Sequence, residues 1–258
     1  MLFSIITINL NNSKGLLNTL NSINLQKFTN FEHIIIDGFS SDESLIILNS
    51  IKNDNCTWIS EKDYGIYDAM NKGISKSKGD YILFLNSGDS FYDENSLSTL
   101  ISNLFDFDII YGDIIDNSSN NYKKISFPRI ITLEYMLCAG LPHQATAFKR
   151  SLFYKYGFYE TNYKIISDWA FFMSILFIHK ISYKYLNVPI AFFEGEGVSS
   201  KKYNLKLIIN EHLDFLNEQF PTYVKYFKRN SIQVQRYIKS FPRWKRLFYF
   251  IKFYFYEI

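Results

Sequence analysis

The sequence predicts an α/β fold built on a mainly parallel central sheet, and three observations carry that prediction. Short runs rich in β-branched and aromatic residues alternate with stretches whose apolar positions recur at helical spacing. The early runs each end in polar residues, with Asp and Asn prominent among them. The chain of 258 residues is 47% hydrophobic and 21% charged, which excludes disorder and supplies enough apolar material for one large core.

The first strand is expected over Phe3–Ile8 and stops at Asn9-Leu10-Asn11-Asn12; Leu16, Leu17, Leu20 and Ile23 then share one face of a helix over 13–25. The cycle repeats with strand His33–Ile36, the end Asp37-Gly38 and helix 43–52. It repeats again with strand Thr57–Ser60, the end Glu61-Lys62-Asp63 and helix 64–77. Strand Tyr81–Leu85, the end Asn86-Ser87-Gly88-Asp89 and helix 94–104 follow, and strand Asp108–Tyr111 is expected to end at Gly112-Asp113. Strand–helix–strand repeats of this kind make parallel neighbours. After residue 115 the rhythm changes to a polar loop at 116–121, a strand Tyr122–Phe127 and a helix from Thr132. Further strands are expected at Ala145–Lys149, Ile181–Leu186 and Ile190–Phe193, with a helix beginning near Ser167. No Gly/Ser/Pro linker interrupts the chain before Pro221, so 1–220 is read as one domain and 221–258 as a helical extension.

The net charge of +3 conceals an asymmetry: residues 221–258 carry nine Lys and Arg against Glu257 alone, and the preceding body is mildly acidic. Residues 242–258, PRWKRLFYFIKFYFYEI, place a basic cluster before an aromatic run too short to span a bilayer. Such a segment suits the interface of an anionic membrane, and a C-terminal helix packing its Phe and Tyr residues on the domain or on a second copy is the other reading. No stacking-platform motif points to nucleic acid. The N-terminus lacks a positive leader and Cys56 and Cys138 form no disulfide framework, so the expected location is the cytoplasm, peripheral to the membrane face.

Ligands of open α/β sheets sit beyond the carboxyl ends of the strands, where the polar ends collect. The chain has no GxGxxG after its first strand, no P-loop, no HExxH and no GxSxG, and its four histidines are scattered. Carboxylates, amides and glycines on loops remain, a set suited to holding Mg²⁺ or Mn²⁺ near phosphates through oxygen.

The run from Ser60-Glu61-Lys62-Asp63-Tyr64-Gly65 to Asn71-Lys72-Gly73, followed by Lys78-Gly79-Asp80 and Asn86-Ser87-Gly88-Asp89, resembles family 2 glycosyltransferases of the GT-A fold. Asn9-Leu10-Asn11-Asn12 and Asp37-Gly38-Phe39-Ser40-Ser41-Asp42 look like the family's two other nucleotide-binding segments. The resemblance covers roughly 3–199 and implies a GT-A, Rossmann-like sheet flanked by helices. It also implies a metal-dependent inverting transfer from a nucleoside-diphosphate sugar, a UDP-sugar by preference, to a hydroxyl of a polysaccharide or lipid-linked glycan.

By the same resemblance Asp89 holds the metal, Asn86 and Gly88 flank it, and Asn9, Leu10, Asn11 and Asp37 recognise the nucleobase, with Asp37 accepting the imide N–H of uracil. Asp63, Gly65 and Asn71 close over the donor, His143 contacts diphosphate or acceptor, and Asp168 is the base that takes the acceptor proton. Tyr111-Gly112-Asp113 is expected to line the acceptor groove, and Glu194-Gly195-Glu196-Gly197-Val198-Ser199 to fold over the diphosphate. Met70, Gly88 and Ser167 stand where relatives often carry charged residues. That departure admits a second reading, a sugar-nucleotide-binding protein without catalysis.

Overall fold

The computed structural model describes residues 2–104, 107–117, 122–195 and 205–229. The tail segment 242–258 and the loop residues Glu196 to Ser199 lie outside them. In chain order the elements are β1 (Phe3–Asn9), α1 (Ser13–Asn24), β2 (Phe31–Asp37), α2 (Ser44–Ser50), β3 (Cys56–Ser60), α3 (Ile66–Lys76), β4 (Tyr81–Phe84), β5 (Ser90–Phe91), α4 (Ser96–Ile101), β6 (Ile109–Asp116), β7 (Lys123–Ile125), α5 (Leu133–Cys138), β8 (Thr146–Lys149), α6 (Ser151–Tyr156), α7 (Ser167–Met173), β9 (Tyr183–Phe193), α8 (Leu205–Gln219) and α9 (Pro221–Arg229). They form two compact units: the described residues of Met1–Arg129 with Leu141–Gly197, and those of Ile130–Gly140 with Val198–Ile258. The boundary expected at Pro221 falls between α8 and α9 of the second unit, where Phe220 packs edge-on against Tyr223 and tilted against Phe215.

The first unit is built on one sheet with strand order β3-β2-β1-β4-β8-β6-β9-β5, and β7 pairs with β6. β3, β2, β1 and β4 are mutually parallel, as the repeated strand–helix rhythm requires. β8 runs antiparallel to both β4 and β6. Every residue of β1 is buried, the pattern of a central parallel strand covered on both faces. On one face Phe3 and Ile5 join Leu83, Leu97, Ile110 and Ala147 in the main cluster. On the other, Ile6 meets α3, where a Cβ on Gly73 would stand 2.5 Å from Ile6 Cγ2.

The aromatic excess of the sequence has a place in this unit. Phe84, Phe148, Phe153, Tyr159 and Phe171 pack edge-to-face or tilted, and Phe153 stacks on Phe171 at 4.7 Å. This aromatic mass seats α7 against β4 and β8, and so fixes where Asp168 stands.

A chain of hydrogen bonds crosses the parallel strands inside the core. Thr7 Oγ1 donates to Leu85 O at 2.8 Å, so its oxygen accepts from His33 Nε2, also at 2.8 Å. That leaves His33 Nδ1 to accept from the Cys56 thiol at 3.7 Å. Burial pushes the Cys56 pKa up to about 11, which keeps the proton on sulfur, and pushes His33 down to about 3, which keeps the ring neutral.

Two strand expectations are corrected. β6 does not stop at Tyr111: it continues through Gly112 and Asp113 to Asp116, with register shifts against β9 on either side of Asp113. Asp113 is therefore no strand end. Its side chain is buried, paired with Lys124 at 2.8 Å and accepting from Tyr185 Oη at 2.6 Å. The strands expected at Ile181–Leu186 and Ile190–Phe193 are one strand, β9, which carries Pro189 opposite Asp113 where the register shifts.

Candidate active site

The carboxyl ends of β1, β2, β3 and β4 converge, and the polar residues there divide into those that bind one another and those that remain available. Asp37 belongs to the first group. It is fully buried, and its oxygens accept from Asn9 Nδ2 (2.7 Å), Ser40 Oγ (2.5 Å), Ser40 N (2.9 Å) and Ser60 Oγ (2.6 Å). Burial raises its pKa, but the Ser40 and Ser60 hydroxyls, the Ser40 amide and Asn9 together hold it below the ordinary carboxylate value. Four donors fill the four lone-pair positions, so the expected reading of uracil by Asp37 is corrected: the residue ties β1, β2 and β3 together beneath the site.

Asn9 shares this role, donating also to Ser44 Oγ at 2.9 Å, while its Oδ1 is buried without a partner. Asn11, at φ 49°, accepts from Ser41 N at 2.8 Å and so fixes the neighbouring loop. Asn71, expected to touch the donor, spends its amide on the backbone of Tyr159 in both directions, at 2.8 and 3.0 Å. Met70 is buried in the core.

Leu10 and Asp63 remain open. Leu10 is exposed, and Asp63 accepts from Gly65 N with Oδ1 at 3.0 Å, which leaves Oδ2 without a hydrogen bond among the described residues. Both lean over Gly38: a Cβ there would stand 2.6 Å from Asp63 Oδ2 and 3.3 Å from Leu10 Cδ1. Gly65, at φ 123°, supplies the left-handed turn that brings Asp63 back over the strand ends before α3 starts.

The loop after β4 is braced from α1. Asn12 caps that helix, accepting from Gly15 N at 3.1 Å, and donates to Ser87 O at 3.0 Å. Thr19 Oγ1 accepts from Gly88 N at 3.1 Å and donates to Asp89 O at 2.6 Å. Gly88 takes φ 108°, and a Cβ on it would come within 3.2 Å of Glu194 Oε2. Asp89 is 7% exposed; burial drives its pKa up to about 7 and the Glu194 charge adds to this, while His143 and the Glu194 backbone amide oppose.

No group of three or more His, Cys, Asp or Glu side chains able to hold a metal occurs among the described residues. The donor set nevertheless fits a hard cation shared with a ligand. One oxygen comes from Asp89, the buried and unpartnered Asn86 Oδ1 lies in the same loop, and Gly88, having no side chain, lets Glu194 Oε2 approach that loop closely.

Asp89 and Asp168 are brought to one place by His143, which sits in a short 3₁₀ turn ahead of β8. His143 Nδ1 is 3.4 Å from Asp168 Oδ2, and its Nε2 is 3.3 Å from Asn86 Nδ2. Burial lowers the His143 pKa, but Asp168 and Asp89 outweigh it and raise the ring above its ordinary value. Burial raises Asp168, but His143, Tyr67 and the Trp169 amide outweigh it and hold the carboxyl below the ordinary range. Tyr67 Oη lies 2.8 Å from Asp168 Oδ1 and 2.6 Å from Ile165 O, sharing one proton between them. The Asp168 side chain keeps 24% of its surface open, enough for a hydroxyl to reach an ionised carboxylate.

Tyr67 and Thr19 are the participants that sequence reasoning left without a role. Tyr67 stands inside the motif run, but only the fold brings it to Asp168, about a hundred residues away.

Comparison with known proteins identifies the family. The model of the family described as "Glycosyl transferase family 2" matches residues 4–177. A "PGL/p-HBAD biosynthesis glycosyltransferase" of Mycobacterium bovis is 30% identical over 203 residues, covering 76% of this chain and 78% of the relative. An "Uncharacterized glycosyltransferase" of Haemophilus influenzae is 24% identical over 233 residues, covering 86% and 78%. Among solved structures, S. aureus TarS 1-349 superposes with TM-score 0.66 at 18% identity, covering 84% of this chain and 66% of that one. The mannosyltransferase PcManGT from Pyrobaculum calidifontis, in complex with GDP-Man and Mn²⁺, gives TM-score 0.62 at 13% identity, covering 84% and 63%. The chain therefore belongs to glycosyl transferase family 2 and is a glycosyltransferase of the GT-A fold.

Proposed function

We propose that this glycosyltransferase moves a sugar from a UDP-sugar to a hydroxyl of a polysaccharide or lipid-linked glycan, with inversion and with a divalent metal. The observation that carries the reading is the pairing of Asp89 with an ionised Asp168 across His143. TarS has been solved with UDP-GlcNAc and with UDP, and PcManGT with GDP-Man and Mn²⁺, so the fold accommodates nucleotide sugars of both kinds.

Asp89, with Asn86 and Glu194 beside it, would hold Mg²⁺ or Mn²⁺; the ion when bound neutralises the charge that grows on the departing diphosphate. Asp168 accepts the acceptor's proton as its oxygen attacks the anomeric carbon from the face opposite the diphosphate. A carboxylate held below its ordinary pKa is a weak base toward a ground-state alcohol, but the hydroxyl becomes far more acidic as it bonds to an oxocarbenium-like carbon. His143 and Tyr67 fix the orientation of Asp168, and the other nitrogen of the His143 ring faces Asn86 in the loop that carries Asp89. Asp63, with its free Oδ2, accepts the imide N–H of uracil in place of Asp37. The basic aromatic segment 242–258 is assigned to an anionic membrane surface, where lipid-linked acceptors reside.

Nucleoside-diphosphate release with UDP- and GDP-sugars, with and without Mn²⁺, tests the reading. Asp168→Asn should lower turnover by about 100-fold or more with UDP affinity retained, and Asp89→Ala should remove the metal-dependent part of UDP binding. Binding of nucleotide without turnover of any donor would leave the non-catalytic alternative in its place.

A further inference from the structure

Phe39 occupies a position that protein chemistry discourages twice over. Its backbone lies in the left-handed region at φ 64°, where a bulky side chain is an outlier, and its ring is 61% exposed, so burial does not compensate. The ring is held at the mouth of the site: Lys62 Nζ is 6.0 Å from its centroid, and Lys62 adjoins Asp63. Gly38, just before it in the chain, is covered by Asp63 Oδ2 and the exposed Leu10, which fill the space that a side chain there would need. Beside the exposed ring there are thus a carboxylate whose Oδ2 has no hydrogen bond among the described residues and a second exposed apolar group, Leu10, on the neighbouring strand end.

We propose that the exposed ring of Phe39 is a stacking face for the nucleobase of the donor, with Asp63 as the partner of the base's polar edge. The inference rests on the reading of the chain as a UDP-sugar transferase and adds to it a residue that sets affinity for the base. A pyrimidine has two apolar faces and a polar rim. Stacking against an aromatic ring satisfies the faces whichever base is bound, while the carboxylate oxygen selects bases that present an N–H. The left-handed backbone turns the ring toward the solvent instead of into the core beneath β2.

Calorimetric titration of the full chain with UDP and, separately, with pyrophosphate, both in the presence of Mn²⁺, tests this. Phe39→Gly suits the left-handed backbone and should weaken UDP about tenfold while leaving pyrophosphate affinity unchanged, and Phe39→Tyr should bind UDP like the parent. Unchanged UDP affinity in Phe39→Gly overturns the proposal, and so does equal weakening of UDP and pyrophosphate, which would mean that the residue acts through the shape of the loop. If the parent itself binds neither UDP nor GDP, the functional reading fails and this inference with it, a result separable from either of the others.

Discussion

Replacing His33 by Gln should remove a contribution to stability that is lost in mild acid. His33 is 3% exposed, and burial lowers its pKa from 6.5 to about 3. The unfolded chain therefore binds a proton that the folded chain refuses anywhere between these values. Stability from this group is fully present above the unfolded pKa and falls as the pH drops below it, at nearly one proton per pH unit. Between about pH 7 and pH 5 that amounts to about 2 kcal/mol, or about 1 M in the urea midpoint for a slope of about 2 kcal/mol/M. His143 and Asp89 act in the opposite sense: their raised pKa values contribute stability at low pH that is lost as the pH rises through the folded values, about 7 for Asp89. Between pH 7 and pH 5 the variant's midpoint should therefore rise by about 1 M urea relative to the parent's, whichever way the parent itself moves. The substitution will cost something at every pH, because Thr7 and Cys56 lose a matched partner, so the test is the difference between pH values and not the absolute midpoint. A variant that loses as much between pH 7 and pH 5 as the parent would refute the assignment of the acid sensitivity to His33.

Asp37→Asn should destabilise by about 2–3 kcal/mol in urea unfolding near neutral pH, since an amide nitrogen would face donors that now point at a carboxylate. The lowered pKa of Asp37 means that its contribution is present above the ordinary carboxylate range and lost as the pH falls through the folded value, so parent and variant should converge in strong acid. Gly79→Ala should cost about 1–3 kcal/mol, because the new Cβ would lie 2.7 Å from Ser4 N and 2.9 Å from Phe3 C, backbone atoms of β1 that cannot swing aside; a thermal midpoint equal to the parent's would contradict this. Phe39→Gly should leave stability unchanged or raise it by up to about 1 kcal/mol, as relief of the left-handed backbone outweighs the entropy of glycine in the unfolded chain. A thermal midpoint well below the parent's would identify the ring as a packing group.

The parallel half of the sheet could be read from the chain because its information is local. An apolar run of four to seven residues, a polar end and a helical stripe say the same thing at β1, β2 and β4, and the structure shifts the limits of those strands by only a residue or two. β6 was harder because its limit depends on a partner. Gly112-Asp113 has the composition of a strand end, yet the strand runs on because Lys124 and Tyr185 neutralise and bind the carboxylate from neighbouring strands.

The site shows the same division. Asp89 and Asp168 were legible as carboxylates in family motifs, and the fold brings both to His143. Asp37 misled because a carboxylate at a strand end looks the same whether its lone pairs are free or filled; Ser40 and Ser60, which fill them, are unremarkable letters in the sequence. Tyr67 and Thr19 gain their roles from contacts across long separations, which no local pattern encodes.

The bracing of the β4 loop by α1 has a kinetic consequence. Asn12 supplies both the cap of the helix and a donor to Ser87, and Thr19, about two turns further on, grips Gly88 and Asp89. The loop cannot swing away without uncapping the helix, and the helix cannot fray from its first turn without releasing the loop. Amide hydrogens of Gly15 and Gly88 should therefore exchange with solvent through one shared opening event, and binding of the donor should slow both together. A change confined to the solvent face of α1, remote from any reacting atom, would then register as altered residence time of the nucleotide.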